Sequence, residues 1–263
     1  MLYLSAFTIS SYKPIAGRHS GMTVRYGSLT VDWLGYATAR LESTAGTVVY
    51  TDPGRYGVLD GQYPKDGHLV VVTHDHHYDS DGIERVARSD ATVVVFEGVD
   101  AAAIDREVTA VDELPYNVVR CSDNDHLAVD VAAEGHDTTV DVWTVPAYNS
   151  PDGPCADADG TVPHPEGEGC GFRLSVDGTT VFWPGDTDAH DGLGELDVSL
   201  FLANIGGSVV MDRHAAADLT ERLAPDLVVP IHYNTFELLA ADGRAFAADV
   251  AGRSIPVALD EPN

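Results

Sequence analysis

Val70-Val71-Val72-Thr73-His74-Asp75-His76-His77-Tyr78-Asp79-Ser80-Asp81-Gly82 decides how this chain is read. A run of β-branched apolar residues ends in a knot of imidazoles and carboxylates, and a helical pattern starts directly after it. Imidazole with carboxylate is the donor set that borderline cations such as zinc favour, and a strand end holds donors more firmly than a free loop. A lone His-x-His would read as a polar surface turn. Three histidines in four residues, beside Asp75, Asp79 and Asp81, read instead as a metal site at a strand-to-helix turn.

Working outward, further polar clusters also follow apolar, strand-like runs. Asp186 and Asp188 follow Val181-Phe182-Trp183, and His232 follows Val228-Val229-Pro230-Ile231. Donors gathered at the ends of several strands of one sheet system converge on one face, which suits a preorganised metal centre.

The rest of the chain reads as α/β. Strands are expected over 24–34, 37–41, 47–50, 68–73 and 91–96, then in a more continuous β stretch over 118–121, 127–132 and 138–145. A hairpin turns at Asp177-Gly178, and further strands cover 198–202 and 227–231. Helices are expected over 83–88, capped by Ser80 or Asp81, over 99–108, over 215–223 and over most of 236–250. Residues 149–170, rich in Pro, Gly and Asp, form the longest irregular segment, and such segments more often carry function than not. Residues 1–21 read as a flexible extension and 22–263 as a single domain, an α/β sandwich of two β-rich halves.

The chain has 263 residues, 44% of them hydrophobic, enough for one large core. Its charge is lopsided: 42 Asp plus Glu face 15 Lys plus Arg, and Lys13 and Lys65 are the only lysines. The acidity is spread along the whole chain. That spread reads as adaptation to high salt, of the kind that marks proteins of halophilic archaea, where counterions screen self-repulsion. It argues against a nucleic-acid partner, which needs a basic footprint. Cys121, Cys155 and Cys170 form no metal-binding pair or disulfide framework. A Cys155–Cys170 bridge is the one pairing to weigh against the default of reduced thiols in a cytoplasmic protein. No segment approaches the ~20 apolar residues of a membrane span, and the N-terminus lacks the basic region of a signal peptide.

Thr73-His74-Asp75-His76, Gly185-Asp186-Thr187-Asp188 and Pro230-Ile231-His232-Tyr233, in that order and spacing, resemble the metallo-β-lactamase superfamily. Trp33-Leu34-Gly35-Tyr36-Ala37-Thr38 and Thr51-Asp52-Pro53 resemble its opening strands. Val145-Pro146-Ala147-Tyr148-Asn149, His164-Pro165 and Ile205-Gly206-Gly207 with Met211 narrow the likeness to ascorbate-6-phosphate lactonase-like hydrolases. The resemblance spans roughly residues 24–236 and implies an αββα four-layer sandwich with one or two zinc ions between two sheets, manganese or iron being alternatives.

The family pattern His-x-His-x-Asp-His is altered here. Aligned without a gap, Tyr78 stands in the place of the aspartate and Asp79 in that of the last histidine. A one-residue insertion restores Asp79 as the aspartate and puts Ser80 in the last place. Asn149 stands where many relatives carry a further histidine, and His164 resembles a histidine of the closer branch. The resemblance thus implies His74, His76, Asp79, His164, Asp186 and His232 as metal ligands, and Asp79 and Asp186 as catalytic groups. His77 is left as a spare ligand, an orienting partner or an exposed side chain, the last two preferred. Asp52 and Asp188 suit the orientation of imidazoles. Tyr36, Tyr148 and Tyr233 are either oxyanion donors or packing at the rim, and the remaining histidines, His68 and His190 among them, read as surface or capping residues. The expected function is hydrolysis of a small ester, lactone or amide by metal-activated water. Alternatives are a phosphodiesterase of the same superfamily and a non-catalytic metal- or ligand-binding protein. The expected partner is a small molecule, with no nucleic acid or membrane, and oligomeric state is left open.

Overall fold

The computed structural model describes residues 23–133 and 136–260. The extension expected over 1–21 lies outside the described residues. One sheet contains, in spatial order, β1 (Val24–Tyr26), β2 (Leu29–Gly35), β3 (Thr38–Ser43), β4 (Val48–Thr51), β5 (Gly67–Val72), β6 (Ala87–Phe96) and β7 (Asn117–Cys121). It is antiparallel from β1 to β4 and parallel from β4 to β7. The second sheet contains β8 (His126–Ala133), β9 (His136–Pro146), β10 (Cys170–Val176), β11 (Thr179–Trp183), β12 (Leu200–Asn204) and β13 (Leu227–Ile231). In it, β8 to β11 are antiparallel, while β11, β12 and β13 run parallel.

Residue pattern explains both arrangements. β2 alternates buried and half-buried residues, as a strand with one face on the core must. Every residue of β5 is buried, because parallel neighbours flank it and both its faces are covered; a continuous apolar run is what that environment selects. A single apolar cluster draws on both sheets, from Val24 through Val71 and Trp183 to Val250. Three α-helices are described: α1 (Ser80–Val86), α2 (Arg213–Leu223) and α3 (Gly243–Gly252). The last two pack together, with α2 also on β12. This is a mixed α/β fold of two sheets and few helices, and no described helix is long and apolar enough to cross a membrane.

Three local expectations are corrected. The first helix is capped by Asp79, not Ser80 or Asp81: its Oδ1 accepts the Gly82 N–H at 3.0 Å, and the helix ends at Val86. The segment 99–108 holds only a single 3-10 turn, Ala101–Ala103. Its apolar residues Val99, Ile104 and Val108 are spaced by five and four, so no helical stripe can face the core. Within 236–250, a turn at Glu237–Leu239 precedes α3, which starts only after Asp242 accepts the Ala245 N–H. The three cysteines are buried and free, so Cys155 and Cys170 are not bridged.

Candidate metal centre

The strand ends deliver the donors. β5 runs directly into Thr73 and His74, and a tight turn in which the Tyr78 N–H reaches the carbonyls of His74 and Asp75 gathers His74, His76 and His77. Helix α1 seats this turn on the Pro53-Gly54 corner. A Cβ at Gly82 would fall 2.2 Å from the Pro53 carbonyl oxygen, so only glycine allows that approach. β11 leads through Gly185, at φ +67°, to Asp186, with Asn204 Nδ2 donating to the Gly185 carbonyl. β13 leads to His232, and the irregular 149–170 segment supplies His164.

Asp186 lies at the middle. One of its carboxylate oxygens is 3.3 Å from His232 Nε2 and 3.6 Å from His77 Nε2. The other is 3.4 Å from His164 Nε2 and 3.8 Å from His74 Nε2. Two further imidazole pairs face each other, His77 Nε2 and His232 Nε2 at 3.3 Å, and His76 Nδ1 and His164 Nε2 at 3.2 Å. Both Asp186 oxygens and His74 Nε2 are buried without a hydrogen-bond partner. Buried polar atoms of that kind are costly unless a ligand completes them. A tetrahedral ion bound at about 2.0–2.1 Å holds its nitrogen donors about 3.3 Å apart, and the facing pairs match that edge. His74, His76 and His164 form one group able to hold a cation, and His74, His77 and Asp186 a second.

The other ends of the imidazoles are tied down. Asp52 accepts from the Thr73 N–H and hydroxyl and from Trp183 Nε1, and its Oδ2 lies 3.2 Å from His77 Nδ1. His74 Nδ1 lies 3.0 Å from the Thr73 hydroxyl. His164 Nδ1 faces the Val209 carbonyl and Asn149 Oδ1, while Asn149 Nδ2 donates to Asp188. In each case protonation of Nδ1 satisfies that contact and leaves Nε2 as a lone pair aimed inward. His232 sits at φ +58°, with its N–H on the Tyr36 carbonyl and its ring stacked on Tyr36 at 4.5 Å. Tyr36 and Asp52 also hold positive φ, at +48° and +39°. Strained backbone of this kind clusters where geometry serves a site.

Burial makes the centre prefer neutral imidazoles. His74, His164 and His232 are held well below the usual histidine range by burial, with their imidazole neighbours adding to it. Burial also pushes Asp186 up to about 7, Asp52 adding to the rise and His77 opposing it. For His77, burial pulls down, but Asp186 and Asp52 outweigh it and the net shift is upward. A cation would reinforce the neutral state of His74, His164 and His232 and oppose the upward shifts of Asp186 and His77.

Residues 30–232 match the family described as the Beta-lactamase superfamily domain. The chain belongs to the β-lactamase superfamily. A UPF0173 metal-dependent hydrolase of Thermococcus kodakarensis is 30% identical over 202 residues, covering 73% of this chain and 78% of the relative. Another, from Methanosphaerula palustris, is 31% identical over 225 residues, covering 83% and 89%. Within the superfamily, the chain therefore belongs with the UPF0173 metal-dependent hydrolases. Among solved structures, Igni18, a metallo hydrolase from Ignicoccus hospitalis, shares the fold with a TM-score of 0.65 at 20% identity, covering 89% of this chain and 96% of that one.

Against this superfamily frame, the structure brings together His74, His76, His164, Asp186 and His232. It does not bring Asp79 into either donor group: Oδ1 is committed to the helix cap, and Oδ2 lies 3.9 Å from Arg55 Nε. His77, left open by the sequence, is buried against Asp52, Asp186 and His232 instead of exposed. The signal for it was the density of histidines behind β5. His68 is also buried, its Nδ1 accepting the Val48 N–H, and His190 stacks on Tyr148. Sequence reasoning passed over Arg55 and Arg106, which line the cleft beside His76 and His77.

Proposed function

We propose that this metal-dependent hydrolase of the β-lactamase superfamily cleaves a small ester, lactone or amide at a dinuclear centre. The ligand set is His74, His76 and His164 on one side and His77, Asp186 and His232 on the other, with zinc as the resident ion. The observation that carries the reading is the two pairs of facing imidazoles, at 3.2 and 3.3 Å, around a buried carboxylate that has no hydrogen-bond partner. When bound there, a divalent cation supplies Lewis acidity and lowers the pKa of a bound water from 15.7 to about 7. Asp186 turns one oxygen toward His77 and His232 and the other toward His74 and His164, and from there it would hold the attacking water in place and accept its proton. Asp52, through His77, and Asn149, through His164, fix ring orientation so that no reorganisation is needed during the reaction. Asp79 is assigned to the cleft wall, away from the metal.

The resemblance to ascorbate-6-phosphate lactonase-like hydrolases favours the lactone within this class. Three free, buried cysteines support a reducing, cytoplasmic setting, and the −27 formal charge supports function in high salt without a nucleic-acid partner.

The test is elemental analysis of protein purified in high salt, with His74→Ala, Asp186→Ala and His232→Ala, alongside hydrolysis of 4-nitrophenyl esters, lactones and amides. Two equivalents of metal in wild type, a loss in each variant, and turnover of at least one substrate are expected. Protein that binds no metal would overturn the reading, and metal without turnover would leave a binding protein.

A further inference from the structure

Cations are scarce in this chain, with 13 arginines and two lysines against 42 acidic residues. Among the described residues, several of these cations are spent on carboxylates. Arg40, Arg88, Arg213, Arg222 and Arg253 each lie within 3.2 Å of at least one. Arg55 and Arg106 are different. They meet in one cleft, together with Tyr36, Asp52, Tyr56, His76, His77 and Asp79. Arg106 holds itself by donating from Nη2 to the Tyr78 carbonyl, while its Nε is buried without a hydrogen-bond partner. No carboxylate lies within ion-pair distance of it among the described residues. Arg55 reaches only Asp79, at 3.9 Å, and rests over the Tyr56 ring at 5.6 Å.

Gathering two like charges in one partly buried cleft, with arginine nitrogens left over, is unfavourable unless something negative completes them. Asp52 and Asp79 in the same cleft, and the nearby charge of Asp75, offset part of this, but none of them lies within ion-pair distance of Arg106. Burial and the Arg55 charge together pull the Arg106 guanidinium down, which records the same tension. The planar guanidinium fork fits the two oxygens of a carboxylate or phosphate. The overall negative charge does not preclude this. In concentrated salt the screening length falls to about 3 Å, so a bound anion responds to the two arginines it touches, not to the distant surface.

We propose that Arg55 and Arg106 form an anion subsite, which takes the carboxylate or phosphate of a small-molecule substrate and sets its hydrolysable bond over His76 and His77. The inference deepens the hydrolase reading and rests on it for the identity of the reacting bond. The substrate class becomes an anionic metabolite bearing an ester, lactone or amide.

The test titrates metal-loaded, full-length wild type, Arg55→Gln and Arg106→Gln with inorganic phosphate and, separately, with succinate, at fixed salt. Metal content is measured on each sample. Loss of one charged contact is expected to weaken binding about tenfold or more at unchanged metal content. The anion that shows the loss names the group. If Arg106→Gln fails to fold for want of its bond to the Tyr78 carbonyl, Arg55→Gln carries the test, since it has no such tie. Wild type that binds neither anion, or variants that bind both as wild type does, would overturn the subsite. Arginine-dependent binding in a protein that cleaves none of the esters, lactones or amides keeps the subsite and sinks only the hydrolase reading.

Discussion

The carboxylate of Asp79 accepts the Gly82 N–H, caps helix α1 and stands on the cleft wall beside Arg55. Aspartate is equally apt as a helix cap and as a metal ligand, which is why the sequence reading makes Asp79 a ligand and gives the cap to Ser80 or Asp81. Asparagine caps as well as aspartate does but is a poor metal donor, so Asp79→Asn separates the two. Full metal content and a stability change within about 0.5 kcal/mol are expected, whereas Asp79→Ala should cost about 1 kcal/mol as the cap is lost. Elemental analysis and urea unfolding read the two outcomes. One equivalent of metal missing from Asp79→Asn would return this residue to the ligand set. His77 was hard to read for a different reason. Which of two adjacent histidines turns inward depends on a tight turn at Tyr78, and side-chain spacing carries no such information.

At the scale of elements, legibility followed burial. β13 was read at its full extent, Leu227–Ile231, because a strand covered on both faces is apolar throughout and cannot shift without exposing itself. The 99–108 segment misled because alanine favours helix in isolation, while tertiary packing offered no apolar stripe to hold one. The 149–170 segment lacks periodicity, so composition flagged it as functional without showing how. The structure supplies the reason: Asp188 holds Asn149, which accepts the His164 N–H and faces its Nδ1. A residue that stands in the place of a family histidine is a brace for His164. Asn149→Ala should therefore weaken metal affinity by about 10–100-fold, the usual cost of losing a partner that orients a ligand, while far-ultraviolet dichroism stays unchanged. Chelator competition measures it. An affinity equal to wild type would mean that the Val209 carbonyl alone orients His164.

For the whole molecule, the governing quantity is a formal charge of −27 carried by 263 residues. Like charges at that density repel in the folded state more than in the expanded chain, so the fold is destabilised wherever the repulsion is unscreened. Pairing cannot remove the excess, because 42 acidic groups share 15 basic ones, and Arg40 and Arg253 already serve more than one carboxylate each. Screening can. The Debye length falls from about 10 Å at about 0.1 M salt to about 3 Å at about 1 M, which erases repulsion between all but neighbouring carboxylates. Stability should therefore rise steeply with potassium chloride over that range. A gain of about 3 kcal/mol corresponds to a rise of about 6–12 °C in melting midpoint for a chain of this size. Surface ion pairs such as Arg88–Asp90 weaken in the same salt, but each is worth only about 0–1 kcal/mol, too little to reverse the sign. Differential scanning calorimetry at several chloride concentrations, with metal content held constant, reads the slope directly. A midpoint that is flat or falling with salt would mean that the acidic surface is not an adaptation to high ionic strength, and would redirect attention to a cationic partner.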